Sequence, residues 1–191
     1  MTSHSWQGRV FIATSLDGFI ARRDGDLDWL TDPPRSFGPG LDHVAGHSGP
    51  TGPPTYESFM AGIDHLVMGR GTYEKVLTFD PWPYGEKHVI VLGSTMRLGA
   101  DQRVTAAHSV SEVVELLEGR GARHVYVDGG RVIQEFLRRG LIDELVVTRA
   151  PVLLGDGIPL FGALGADVLL QHLSTSYGDS GMTSSHYRVI H

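Results

Sequence analysis

The chain has 191 residues, 41% of them apolar and 20% charged, with a formal net charge of −6, a sequence pI near 5.9 and no cysteine. One domain of this length buries roughly two thirds or more of its unfolded surface without a disulfide or structural metal, and the near-average composition excludes disorder, collagen-like repeats and coiled coil. The acidic balance, with no lysine or arginine cluster, argues against a nucleic-acid surface, and the missing thiols exclude disulfides, thiolate zinc sites and thiol nucleophiles.

The first seven residues are polar, and the apolar run at 10–13 is far too brief for a secretory apolar region or a membrane span, so a cytoplasmic protein that does not engage membranes is expected. A single domain over 1–191 is expected. Its first strand is 9–14. From 33 to 55 the chain is dense in proline, glycine and histidine with no period, which marks a functional loop rather than a simple connector. A short helix at 56–61 precedes a strand at 65–68, which stops at Gly69 and turns into a helix at 72–77. A further strand follows at 88–92.

The helix at 110–118 opens on Ser109 with Glu112 three residues on, a capping box, and stops at Gly119 and Gly121. Strand 124–127 ends in Asp128, Gly129 and Gly130. The next helix, 131–139, carries Val132, Ile133, Phe136 and Leu137 at helical spacing, two arginines in its last turn and Gly140 as its stop. Strand 144–152 comes next. These runs are short, β-branched and mostly continuous, as strands buried on both faces of a parallel sheet must be. Beyond Gly155, the strands at 167–173 and 182–190 suit antiparallel pairing at a sheet edge. The expected fold is therefore α/β, with a mixed, mostly parallel sheet, an antiparallel C-terminal edge and helices on both faces.

Three strand ends carry chemistry. Gly69, Arg70, Gly71 and Thr72 open a helix whose first N–H groups attract phosphate, and Arg70 can fork onto a second one. This is not a Rossmann fingerprint, because Glu74 stands where the third glycine belongs. Leu92, Gly93, Ser94 and Thr95 offer hydroxyls at a second strand end. Val127, Gly129, Gly130, Arg131 and Val132 form the third, where the paired glycines let the backbone approach a diphosphate. Each turn alone is ordinary. Together they favour a nucleotide site, because ligands of open α/β sheets collect along the strand C-termini.

With these residues assembled, the chain resembles the dihydrofolate reductase superfamily over nearly its whole length, specifically the stand-alone relatives of the riboflavin-biosynthesis reductase domain. Residues 13–21 resemble the first strand and the segment against which the nicotinamide sits, and 28–30 the tryptophan-bearing loop after it. Residues 68–74 are similar to the family's cofactor turn, in which the arginine meets the ribose 2′-phosphate. Residues 92–95 are similar to the strand end flanking the adenosine, 127–132 to the turn under the diphosphate, and 144–161 to the long strand and Gly-Asp loop. The resemblance implies a three-layer dihydrofolate reductase-like fold and NADPH as cofactor. Its cofactor-binding residues would be Ala13, Ile20, Gly69, Arg70, Gly71, Thr72, Leu92, Gly93, Ser94, Thr95, Val127, Gly129, Gly130, Arg131, Val132 and Thr148. It also implies a homodimer and a 5-amino-6-(5-phosphoribosylamino)uracil reductase-like oxidoreductase.

Two departures narrow this. The helix carboxylate with which folate reductases grip the pterin has no counterpart except Glu57, and the zinc deaminase domain of bifunctional riboflavin enzymes needs cysteines that this chain lacks. Hydride transfer requires a polar group beside the reacting carbon. Asp128 leads as proton source or substrate contact, where related riboflavin reductases place a glutamate; its alternative role is to cap the following helix. Asp17 and Glu57 are the other catalytic candidates, although an aspartate before glycine also serves turns and a surface glutamate is usually solvated. Trp29, Tyr56, Phe59 and Tyr177 are candidates for a substrate pocket suited to a planar heterocycle, with core or loop packing as the alternative. No metal site is expected, because His43 and His47 sit in a Pro/Gly-rich loop. The competing classes are a non-catalytic nucleotide- or flavin-binding module and a dimeric scaffold.

Overall fold

The computed structural model describes residues 4–31, 46–48, 52–93, 102–178 and 181–191. The strands are β1 (Gln7–Thr14), β2 (Phe19–Ala21), β3 (Gly46–Ser48), β4 (His65–Gly69), β5 (His88–Leu92), β6 (Val104–Ala107), β7 (His124–Asp128), β8 (Glu144–Arg149), β9 (Ile158–Pro159), β10 (Leu169–Tyr177) and β11 (Thr183–Ile190). The helices are α1 (Asp28–Thr31), α2 (Tyr56–Ala61), α3 (Arg70–Val76), α4 (Val110–Gly119) and α5 (Gly130–Arg138). Nine strands form one sheet in the order β3-β10-β11-β8-β1-β7-β4-β5-β6, and β2 pairs with β9 beside it.

From β8 to β6 every neighbour is parallel. The C-terminal hairpin β10-β11 joins antiparallel to β8. The expected mixed sheet and antiparallel edge are thus present.

The continuous apolar runs divide by the two-residue period of a strand between two cores. Val67, Ile90, Val125 and Val127 pack with Val113 and Leu117 of α4 and with Ile133 and Phe136 of α5. On the opposite face Leu66, Met68, Val89, Val91 and Tyr126 pack with Phe59 and Met60 of α2 and Val76 of α3. Helices therefore cover both faces, as parallel strands require.

Local chemistry adjusted several boundaries. The strand expected at 144–152 stops at Arg149: after the Ala150 N–H donates to Thr14 O at 2.8 Å, Pro151 has no N–H with which to continue the ladder. The strand expected at 167–173 begins at Leu169 and runs through polar residues to Tyr177, because antiparallel pairing with β11 supplies its bonds whatever its side chains. Strand β6 was not anticipated, since Val-Thr-Ala-Ala is too short and weakly apolar to stand out. Strand β3, paired to β10, lies within the loop expected over 33–55; most of that loop falls outside the described residues. Helix α3 starts two residues earlier than expected, at Arg70.

Candidate functional site: converging turns at the strand C-termini

The parallel strands β4 and β7 are hydrogen-bonded neighbours, with Met68 opposite Asp128, so the turns that follow them emerge side by side. They interlock. Gly129, at φ 89°, lies so close to Thr72 that an added Cβ would collide with its Oγ1. Gly69 faces Val132, whose Cγ2 would stand 3.3 Å from such a Cβ. A third segment closes on the pair: a Cβ on Gly130 would come 2.7 Å from Pro159 O and 3.2 Å from Cδ1 of Ile20. The turn after β4, the turn after β7, β2 and β9 therefore meet at one place, and glycine permits the approach.

The helix ends there differ from those elsewhere. Helices α2 and α4 are capped by Thr55 and Ser109, whose hydroxyls accept from Ser58 N and Glu112 N. Helices α3 and α5 begin at Gly69 and Gly129 with no side-chain cap. Their first N–H groups are available to an anion. Arg70 is exposed at the start of α3 and lies 3.4 Å from Glu74, one turn on. Gly71 faces open space, and Arg131 is exposed at the start of α5. Leu92 is half-buried at the end of β5, where Gly93 N donates to Ala107 O; Ser94 and Thr95 lie outside the described residues. Val127 and Val132 point into the core, leaving only their backbone for a ligand. Ala13 and Thr148 are neighbours across β1 and β8, with the Thr148 hydroxyl donating to Ser184 Oγ at 3.0 Å.

Asp128 ends β7 and accepts from the Gly129 N–H at 2.8 Å. It precedes the N-cap of α5, Gly129, which has no side chain to bond the N–H groups of the first turn. Burial drives its pKa up to about 6, against the Gly129 N–H and the Tyr126 hydroxyl, which favour its charge. Tyr126 lies two residues earlier on the same face and donates to Phe11 O at 2.9 Å. Burial and then the Asp128 charge raise the hydroxyls of Tyr56, Tyr84 and Tyr126, so that all three stay protonated. A carboxyl poised near neutrality among three phenols can hold or release a proton.

A cleft of about 630 Å³ opens between α2 and the segment 83–87, where Ile63, Asp64 and Lys87 lie just before β4 and β5, with Tyr56, Glu57, Met60 and Tyr84 also among its walls. Tyr56 packs edge-on to Phe11 at 5.6 Å, and Trp82 stacks edge-on to Tyr84 at 5.4 Å. The indole nitrogens of Trp29 and Trp82 are buried without a partner among the described residues.

The remaining candidates separate. Glu57 and Tyr56 line the cleft. Phe59 is 1% exposed, fixed between Phe11 and Tyr126 at 5.2 Å from each ring, beneath the Arg9 guanidinium. Its position is structural. Trp29 is buried on α1, and Tyr177 is half-exposed at the end of β10, three strands from β1. Asp17 is committed to backbone: it accepts from Ser15 Oγ at 2.6 Å and from the N–H groups of Leu154 and Gly155 at 3.1 and 2.7 Å, which hold its pKa below the usual carboxylate range. It braces the loop after β1 against the loop after β8. Sequence reasoning passed over Tyr126, Tyr84 and the 83–87 wall. Tyr126 was available from the strand period, two residues before Asp128; Tyr84 was not, since nothing local says which way a Pro-rich segment folds.

The RibD C-terminal domain family matches residues 8–184. The Bacillus subtilis protein YwjB is 32% identical over 165 residues, 85% of this chain and 86% of its own length. The riboflavin biosynthesis protein RibD of Corynebacterium ammoniagenes is 28% identical over 87% of this chain and 51% of its own. Among solved structures, a putative riboflavin biosynthesis protein from Shewanella sp. PV-4 is 36% identical with a TM-score of 0.78, covering 97% of this chain and 99% of that one. The dihydrofolate reductase of Enterococcus faecalis, complexed with NADP(H), shares the fold at 20% identity and a TM-score of 0.66, over 98% of this chain and 99% of its own. With the family matched from the first strand to the start of β11, this chain belongs to the RibD C-terminal domain family.

Proposed function

We propose that the protein is an NADPH-dependent oxidoreductase that delivers hydride to an electron-poor C=N or C=O carbon of a small heterocyclic or carbonyl compound. The observation that carries this reading is the convergence of two uncapped helix N-termini, at Gly69 and Gly129, beside a carboxyl of raised pKa at Asp128. The residues fit the cofactor: the interlocked turns leave backbone N–H groups and an open Gly71 for a diphosphate, and Arg70 stands free enough to meet a further phosphate. Reduced nicotinamide supplies the hydride when bound.

The chain's own residues do the rest. Ile20 and Ala13 offer an apolar wall at the end of β1, where a flat ring can seat. Thr148 is held by Ser184 on the same floor. Asp128, protonated in part near neutrality, donates to the heteroatom next to the reduced carbon, while Tyr126, fixed by its bond to Phe11 O, packs beside it on the same face of β7. Asp17 acts by positioning the loops at the mouth. Tyr56 and Tyr84, whose hydroxyls the Asp128 charge reaches, supply aromatic surface for the substrate on the α2 side.

The test is thermal unfolding with NADPH and with NADH, for the parent and Arg70→Ala. NADPH should raise Tm more than NADH, since only the native state binds it, and the variant should lose that preference. Equal or absent shifts with both cofactors would refute the reading. NADPH binding without oxidation across a carbonyl and heterocycle panel would favour a binding module instead.

A further inference from the structure

Strand β9 is a weak element in a demanding position. It has two residues, Ile158 and Pro159, pairs with β2 at Phe19 and Ala21 across an irregularity, and cannot donate from Pro159, which has no N–H. A two-stranded ribbon is marginal by itself even when longer. Yet this one is pressed onto the first turn of α5, where Pro159 O stands 2.7 Å and Ile20 Cδ1 3.2 Å from the place of a Cβ on Gly130. Leu160 sets its depth: the side chain is buried in the core that α5 also enters, and its N–H donates to Gly18 O at 2.9 Å. Depth alone leaves the ribbon free to slide along the helix.

The helix itself supplies the missing restraint. Gln134 lies one turn on from Gly130, on the same helix face, and its Nε2 donates to Leu160 O at 3.1 Å and to Pro159 O at 3.3 Å. A further turn along, Arg138 Nε donates to Ala163 O at 2.8 Å. The Gln134 amide fits because Gly162 has no side chain: a Cβ there would stand 2.7 Å from Oε1. The helix whose uncapped N-terminus is assigned to the diphosphate thus grips the ribbon that carries Ile20. Resting on the reductase reading above, we propose that Gln134 is a positioning residue for the cofactor. It fixes the distance between the diphosphate turn and the Ile20 wall on which the nicotinamide ring seats, so that the two halves of NADPH are met together. A wall already in place need not be ordered when the ring arrives, and that saving strengthens binding.

The whole chain is titrated with NADPH, followed by nicotinamide emission, and with adenosine 2′,5′-bisphosphate, which carries the adenosine end of the cofactor without the nicotinamide. Gln134→Met keeps the length and helix propensity of the side chain and removes the donor. Gly162→Ala keeps the glutamine and displaces its amide. Leu160 stays buried in both, so both should fold. In each, NADPH should bind about threefold to tenfold more weakly, the range open to one or two lost hydrogen bonds. The emission of bound NADPH should also move toward that of the free compound, as the ring loses its fixed apolar wall. Adenosine 2′,5′-bisphosphate should bind each variant as it binds the parent. Combining the two changes should cost no more than either alone, because both remove one contact. Parent-like NADPH affinity and emission in both variants would overturn this inference and leave the reductase reading standing. An equal loss for the bisphosphate would also overturn it, making Gln134 a general support of α5. A parent that binds no NADPH would remove the reductase reading and this inference together.

Discussion

Replacing Gly129 by alanine attacks the joint between the turns after β4 and β7. The backbone there, φ 89° and ψ 132°, lies in territory that glycine alone visits freely, and holding an L side chain in it costs about 1–3 kcal/mol. The new methyl would also collide with Oγ1 of Thr72 while standing 3.5 Å from its Cβ, an ordinary contact, so only the hydroxyl is in the way. Forced overpacking of this kind costs about 1–3 kcal/mol more. Gly129→Ala should therefore lose about 2–6 kcal/mol, which for a chain of this size lowers Tm by about 4 °C at the least. Thr72→Ala removes the obstructing oxygen and leaves the backbone cost. The double variant should recover about 1–3 kcal/mol relative to the sum of the single changes. Urea unfolding of the four proteins gives the coupling directly. Additivity to within about 0.5 kcal/mol would show that the two turns do not interlock.

Asp128 links acidity to both stability and turnover. Its folded pKa of about 6 exceeds the ordinary 3.8, so the stabilisation it brings is full below pH 3.8 and is lost as pH rises through 6. Asp128→Asn should therefore be the more stable protein at pH 8, by about 1–3 kcal/mol, with little advantage at pH 4, while turnover drops further than NADPH affinity; equal stability at both pH values would refute the assignment. His88 behaves oppositely: burial, then Arg120 and His65, depress its pKa to about 4, so its contribution is complete above pH 6.5 and disappears as pH falls through 4. His88→Gln should flatten the loss of Tm between pH 8 and pH 5, and an unchanged slope would exclude it. Phe59→Ala should cost about 3–5 kcal/mol in denaturant unfolding and leave the NADPH-to-NADH preference intact; a lost preference with little change in stability would move Phe59 from core to site.

The strand-and-helix order was legible because each buried run is both β-branched and bounded by glycine or a cap; helix α4, where Ser109 Oγ accepts from Glu112 N and the Glu112 carboxylate accepts from the His108 N–H, is found one residue from its expected end. The turns at Gly69 and Gly129 were legible for the same reason. What escaped depends on contacts distant in sequence. Phe59 and Tyr56 are three residues apart on one short helix, and their helical positions alone do not say that one is pressed between Phe11 and Tyr126 while the other opens to a cleft. Asp17 reads as an ordinary turn aspartate until the chain returns 137 residues later and presents two amides to it. The cleft wall at 83–87 has no periodicity to betray it, since its shape comes from aromatic packing among Tyr73, Trp82 and Tyr84.

The absence of a side-chain cap on α5 has a consequence for the solvent exposure of its first amides. Where a serine or threonine hydroxyl completes a helix, the first turn is secured at all times; at Gly129 that task is left to whatever the turn holds. An anionic ligand seated there would become the missing piece of secondary structure; without it the first N–H groups of α5 meet solvent while Val132 and Ile133 keep the turn packed on the core. Ligand supply would then register as slower hydrogen exchange of those few amides, with the body of the helix held by its core contacts throughout.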